Sequence, residues 1–278
     1  MPNDNHRRLP SDMQQIGSVF KYEVYKYLRS RRLVSVFAIE AIVVALILAI
    51  PPLLGNPFPS DAAAFVGRFA GFTYLLAIIS ATMFAGDALV SEFQQRTGYL
   101  IFPNPVKRWV FFAGKVLASL AIVTLVLVIY YAVAIIAGVG ITGSVSDLAF
   151  ASLGLAILFA AACVGIGYLL SAVMKTATSA LVFTFFLLFL ILPIVDGVGM
   201  VAGARTDFSL TFQEGVIPDI LETPYPSDHV LGGGPGPANF TIYQFVPHLD
   251  VAIIVMTLYL VVAMAIALVF FNRREMLG

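Results

Sequence analysis

An all-α membrane bundle of six spanning helices is the fold class that three observations predict. Sixty percent of the 278 residues are hydrophobic, 12% are charged, and the mean hydropathy is +0.94, values that belong to a chain embedded in lipid. Six apolar runs reach the length of about 20 residues that a bilayer-crossing helix needs: residues 33–54, 69–90, 116–139, 148–173, 178–198 and 250–271. The charge is segregated, although the formal net charge is zero. Fourteen of the 16 Lys and Arg lie before the first run, in the second-to-third and fourth-to-fifth connections, or after the sixth run. Arg68 and Arg205 are the two exceptions. The positive-inside rule then places both termini in the cytoplasm, which requires an even number of crossings.

The elements follow in order. Residues 1–13, rich in Asn, Asp, Pro and Arg, read as a mobile tail. Across residues 14–32 the apolar positions Ile16, Val19, Phe20, Val24, Tyr27 and Leu28 recur at helical spacing, with Lys21, Tyr25, Lys26, Arg29 and Arg32 largely on the other face. That pattern predicts a surface helix in the headgroup plane, its cations near anionic membrane lipid. No short apolar core with a cleavage site precedes the first run, so that run is expected to be a retained anchor. Turn-forming residues around Gly55–Asp61 and Gly138–Asp147 make short outer connections, and Met174–Thr178 a tight one on the cytoplasmic side.

The connection at 199–249 is different, because loops of that length are usually functional or structured in themselves. Its stretch Phe208–Glu222 is apolar enough to lie on the membrane as a short helix, whereas Pro224–Pro237 is turn-dense. This outer face is acidic, carrying Asp61, Asp147, Asp196, Asp207, Glu214, Asp219, Glu222, Asp228 and Asp250, and nucleic acid is not an expected partner. Asn239-Phe-Thr241 is a glycosylation sequon. Cys163 stands alone, which excludes an intrachain disulfide, and reads as a small packing residue.

Several chemistries find no support. The sequence has no HExxH metal motif and no GxSxG elbow. Gly114-Lys115 fails as a phosphate-binding loop, since Trp109 stands where the first glycine is required and Val116 follows the lysine. The glycine run at 232–236 is read as a turn that follows no strand, and His229 and His248 are too weakly patterned for a metal site. Two acids are assigned to predicted spans, Glu40 and Asp87, and burial in hydrocarbon requires each to face a partner, water or the bundle interior. Substrate or proton chemistry is one reading of Glu40 and a packed structural acid the other. For Asp87, near the span end, a capping or salt-bridge role is expected.

The segment 91–115 between the second and third runs mixes charges, turn formers and aromatic residues. Pro103 and Pro105 disfavour a continuous helix, so the reading is a short helix, a Pro-broken turn and then the third span. Glu92 at the end of span two, then Thr97-Gly98, Pro105, Arg108 and Gly114-Lys115, is a pattern that resembles the permease subunits of type-2 ATP-binding-cassette (ABC) exporters. Phe20-Lys-Tyr-Glu23 with Arg29-Ser-Arg-Arg32 is similar to that family's elbow helix, and Phe271-Asn-Arg-Arg-Glu275 to its closing tag. Thr97-Gly98 reverses the commoner order, and the outer loop is long.

The resemblance implies a multi-pass subunit of the cytoplasmic membrane that is not itself an enzyme. It implies two permease copies, identical or related, working with two separate ATPase subunits that carry the ATP and Mg. This chain would hold no catalytic, cofactor or metal site. Glu92, Arg96, Thr97, Gly98, Tyr99, Pro105 and Arg108 would couple to the ATPase, and Phe20, Glu23, Arg29 and Arg32 would belong to the elbow helix. Two other readings stay open: an ion-driven secondary transporter using Glu40 and Asp87, or a non-transporting scaffold. Nothing in the spans selects a cargo.

Overall fold

The computed structural model describes residues 11–94, 107–231 and 242–273. Helix α1 (Asp12–Leu28) opens with a capping box in which the Ser11 hydroxyl accepts from Gln14 N and the Gln14 side chain accepts from Ser11 N. Ser30 ends the turn after α1 and caps α2 (Arg31–Leu53), accepting from Leu33 N at 3.3 Å while donating to Tyr27 O at 2.7 Å. The elements that follow are α3 (Ala62–Ala85), α4 (Val90–Gln94), α5 (Arg108–Thr142), α6 (Leu148–Val173), α7 (Ala177–Phe186), α8 (Leu192–Ala202), α9 (Leu210–Gln213), α10 (Val216–Asp219) and α11 (Leu249–Arg273). Six helical stretches among the described residues are long and apolar enough to cross a membrane: α2, α3 with α4, α5, α6, α7 with α8, and α11.

Helix α6 is the centre of the bundle, packed by α3, α5 and α11. Small residues let the neighbours approach, as where Gly167 meets the backbone of Ala85 and Gly86 in α3 and its break. Helices α2, α7, α8 and α11 are peripheral, with Val34, Ile42, Phe183, Phe186, Ile194 and Ile254 facing outward.

Two observed features differ from the simple reading of uniform spans. Helix α5 starts at Arg108 rather than near Val116, so the last eight residues of segment 91–115 are helical. Its 35 residues give about 52 Å of length, against a hydrocarbon core of about 30 Å. The fifth span carries a π-helical turn at Leu187–Ile191 between α7 and α8. Pro193 explains it: lacking an N–H, it cannot donate to the carbonyl of Phe189. The Tyr74 hydroxyl of α3 supplies the missing donor, reaching Leu188 O at 3.2 Å and Phe189 O at 3.4 Å.

The outer connection also departs from expectation. Rather than lying on the membrane, α9 and α10 plug the end of the bundle, with Leu210, Val216 and Ile217 fully buried and Ser152 of α6 donating to Ile217 O at 2.7 Å. Polar residues between the apolar ones, Ser209, Thr211 and Gln213, are buried as well, which a membrane-surface helix does not require. A short antiparallel pair follows, β1 (His229–Leu231) with β2 (Ile242–Gln244). The glycine run therefore does follow a strand, although Gly232–Gly236 and Asn239 lie outside the described residues. Gly203 ends α8 in the left-handed region at φ 70°, its α-carbon against the Tyr243 ring, so a side chain there meets both strain and a clash.

Candidate functional site

The end of the bundle that carries the basic residues is built around a break in the second span. Helix α3 stops at Ala85 and α4 begins at Val90, leaving the last carbonyls of α3 and the first N–H groups of α4 without helical partners. Turn bonds within the break satisfy Thr82 O, Ala85 O, Ser91 N and Glu92 N, and neighbouring elements supply partners for others. Met83 O accepts from Arg32 Nη1 at 3.0 Å, and Phe84 O accepts from the hydroxyls of Tyr27 at 3.0 Å and Ser119 at 2.8 Å. Ser171 of α6 accepts from Leu89 N at 2.9 Å and Val90 N at 3.1 Å. Arg32 also grips Asp87 within the break through two parallel bonds of 2.8 and 2.7 Å. Burial pushes the Tyr27 phenol above its ordinary range, so it remains protonated and donates to Phe84 O.

Below the break lies a buried ion cluster. Lys115 of α5 is fully buried, its Nζ 2.8 Å from Glu23 of α1 and 2.8 Å from Glu92 of α4. Both carboxylates are themselves buried, and the half-exposed Lys26 closes the set at 3.3 Å from Glu23 and 3.7 Å from Glu92. Among the described residues, two cations thus face two anions. The ammonium also stands 5.2 Å from the Phe111 ring centroid. Desolvating such groups is costly, so a buried pair of this kind is weak evidence for stability and better read as fixing one arrangement of α1, α4 and α5.

Contacts around the cluster tie α5 to α1 and to α11. Lys107 pairs with Asp12 at 2.7 Å, and Arg108 Nη1 donates to Asn272 O at 2.8 Å at the negative end of α11. Gly114 allows α1 and α5 to touch, since a Cβ there would lie 2.7 Å from the Val19 side chain. Gly114→Ala is accordingly expected to destabilise the protein by about 1–3 kcal/mol despite alanine's better helix propensity. Val19→Gly in the same chain, which removes both the Cβ and the Cγ1 that the new methyl meets, should recover part of the loss, a rescue readable in thermal unfolding.

A family model for the ABC-2 type transporter matches residues 14–194, about two thirds of the chain. The chain belongs to the ABC-2 type transporter family. A comparison with curated proteins finds no match. The matched residues run from α1 into α8 and include every member of the ion cluster. The protein is thus a multi-pass membrane permease component of an ABC transporter, a family whose permeases work in general with an ATPase partner.

In this ABC-2 permease the residues singled out from sequence are distributed unevenly. Glu23, Arg32, Asp87 and Glu92 gather at the α3–α4 break and the ion cluster, while Arg108 holds the end of α11. Phe20 packs partly buried against the core, Arg29 is exposed, and Leu28, read as apolar-facing, is 45% exposed. Arg96, Thr97, Gly98, Tyr99 and Pro105 lie outside the described residues. Glu40 is buried in α2, and its Oε2 finds no hydrogen-bond partner among the described residues. Eight residues separate it from Arg32, about 12 Å along the helix, so it does not join the Arg32–Asp87 pair. Lys115 and Ser171 were not singled out as site residues. Lys115 carries a signal in hindsight: it shares a helical face with Phe111, Ala118 and Ser119, a face that is otherwise buried.

Proposed function

We propose that this permease is the membrane subunit of an ATP-driven exporter, two copies working with two separate ATPase subunits that bind and hydrolyse the nucleotide. In this reading the basic end faces the cytoplasm with both chain termini, in the cytoplasmic membrane, and the permease itself is not an enzyme. The ATPase docks at the segment between α4 and α5. The Glu23–Lys115–Glu92 cluster carries the argument: it ties α1, α4 and the start of α5 into one body. A force applied at α4 or at the start of α5 would then turn the second and third spans together, which is what coupling to a remote ATPase requires.

The test is coexpression with the cognate ATPase. Tyr99→Ala and Arg108→Glu should reduce copurification of the ATPase and its hydrolysis in the complex. Because Arg108 also holds the end of α11, the melting temperature of each variant is measured in parallel. Both variants binding and hydrolysing like the wild type, with unchanged stability, would contradict the docking assignment.

A further inference from the structure

At the opposite end of the bundle, a cavity of about 740 Å³ lies between α8, α9, α10 and the β1–β2 pair. Among the described residues, four carboxyl groups line it, Asp196, Glu214, Asp219 and Glu222, and neither Lys nor Arg appears in its wall. Arg205, which stacks on the Phe245 ring, is held by Asp207 and Asp228. Asp196 is 7% exposed, and its two oxygens differ. Oδ2 accepts from the hydroxyls of Ser209 and Thr211, whereas Oδ1 finds no partner among the described residues. An acceptor left unpaired at that depth costs free energy unless something else supplies the charge or the donor. Thr211, His229 and Gln244 also line it, and the rest of the wall is largely apolar and aromatic, including Tyr74, Met200 and Phe212.

We propose that this cavity binds an organic cation with an apolar body, its charge beside the Asp196, Glu214 and Asp219 carboxyl groups and its body against Tyr74, Met200 and Phe212. Size and lining suit a drug-sized ligand, for which pockets of about 300–1,000 Å³ with few polar groups are usual. Aromatic faces add attraction for a cation. A metal ion fits less well, because no three His, Cys, Asp or Glu among the described residues converge around one point. The role of the site as cargo recognition rests on the exporter reading; its existence as a binding site does not.

A bound cation would also stabilise the carboxylates of the wall in their charged form. Burial and the nearby Asp219 push the Glu214 carboxyl up to about 8, and burial with Glu222 pushes Asp219 up to about 6. Glu214 stands within electrostatic reach of Tyr74, Tyr131 and Cys163 on α3, α5 and α6, none of them cationic, and His229 and Asp196 complete the titratable wall. A bound cation favours the ionised carboxylates and releases protons, so binding should tighten as pH rises from about 6 to 8.5.

The experiment is equilibrium dialysis of the purified permease in detergent, without ATPase or nucleotide, using tetraphenylphosphonium and its anionic counterpart of the same shape, tetraphenylborate. Saturable binding of the cation but not the anion is expected, tighter at pH 8.5 than at 6. Asp196→Asn should weaken it by about thirtyfold or more, the scale of losing one partner of a buried charge pair. Glu222→Gln, at an exposed position that does not threaten folding, should weaken it by a smaller factor. Equal uptake of both ions, cation binding indifferent to both substitutions, no binding, or binding of Mn²⁺ alone would each overturn the proposal. A failure of ATPase coupling would leave these binding results unchanged, which separates the two claims.

Discussion

Replacing Lys115 by methionine is expected to destabilise the permease by about 3–5 kcal/mol, because it removes the fully buried cation that both the Glu23 and the Glu92 carboxylates contact at 2.8 Å. The same reasoning predicts a rescue. In the triple variant Lys115→Met, Glu23→Gln, Glu92→Gln no charge is stranded, and stability should return to near the wild-type level or exceed it, since an apolar replacement of a buried ion set is often neutral or stabilising. Thermal inactivation in detergent reads both outcomes. The rescued protein then asks the functional question separately from the folding one. If the cluster serves to hold α1, α4 and α5 in a single arrangement, the triple variant should be stable yet hydrolyse ATP with a weakened response to transport. A triple variant as unstable as Lys115→Met alone would show that the helices depend on the charges themselves.

Ser171→Ala should have the second largest effect. One hydroxyl accepts from Leu89 N and Val90 N, both on residues with no exposure to solvent, and alanine leaves two buried donors unpaired. Each unsatisfied group costs about 1–3 kcal/mol, so a loss of about 2 kcal/mol or more is expected after partial relaxation. The damage should be local, because what the serine anchors is the start of α4. Hydrogen exchange is therefore predicted to accelerate at residues 89–94 while the core of α6 stays protected. Ser171→Thr keeps the acceptor and should restore slow exchange. Uniform acceleration throughout the bundle would instead mean that Ser171 matters to packing in general.

Much of this architecture is legible in the sequence, and the physical reason is the bilayer. Each crossing needs a long apolar run, and such runs are conspicuous in 278 residues with 12% charge. The helical period of residues 14–28 likewise marks α1, and Glu23, three residues after Phe20 and four before Tyr27, falls on its apolar face. What the sequence conceals is partnership at a distance. Lys115 sits beside Gly114 and reads as one more cation of a polar connection, until Arg108–Lys115 is seen to be helical and α1 to cross it at Gly114. The pairing of Lys115 with residues 92 positions and 23 positions before it depends on that crossing and on the break after Ala85, neither of which has a local pattern.

The outer end was misread for a related reason. Phe208–Glu222 carries enough apolar residues to suit either a membrane surface or a protein interior, and composition cannot separate the two. The polar residues decide it: Ser209 and Thr211 find Asp196 on α8, and the segment folds inward around that acid. Asp196 stands two residues inside the predicted end of the fifth span, where an acid is costly and calls for a partner or a ligand. That signal was available from position alone, but assigning Asp196 to the acidic outer face hid it.

The central claim is that α1, α4 and the start of α5 move as one body when the ATPase works. Spin labels at the exposed positions Tyr22 on α1 and Leu125 on α5 report on that body, while Tyr22 with Val198 on α8 reports across the bundle. Cys163, fully buried, should not take up label. Pulsed electron-electron distance measurements on the permease–ATPase complex, nucleotide-free and vanadate-trapped, should give the same narrow Tyr22–Leu125 distribution in both states and a shifted Tyr22–Val198 distribution. A Tyr22–Leu125 distance that shifts or broadens on trapping would contradict the account.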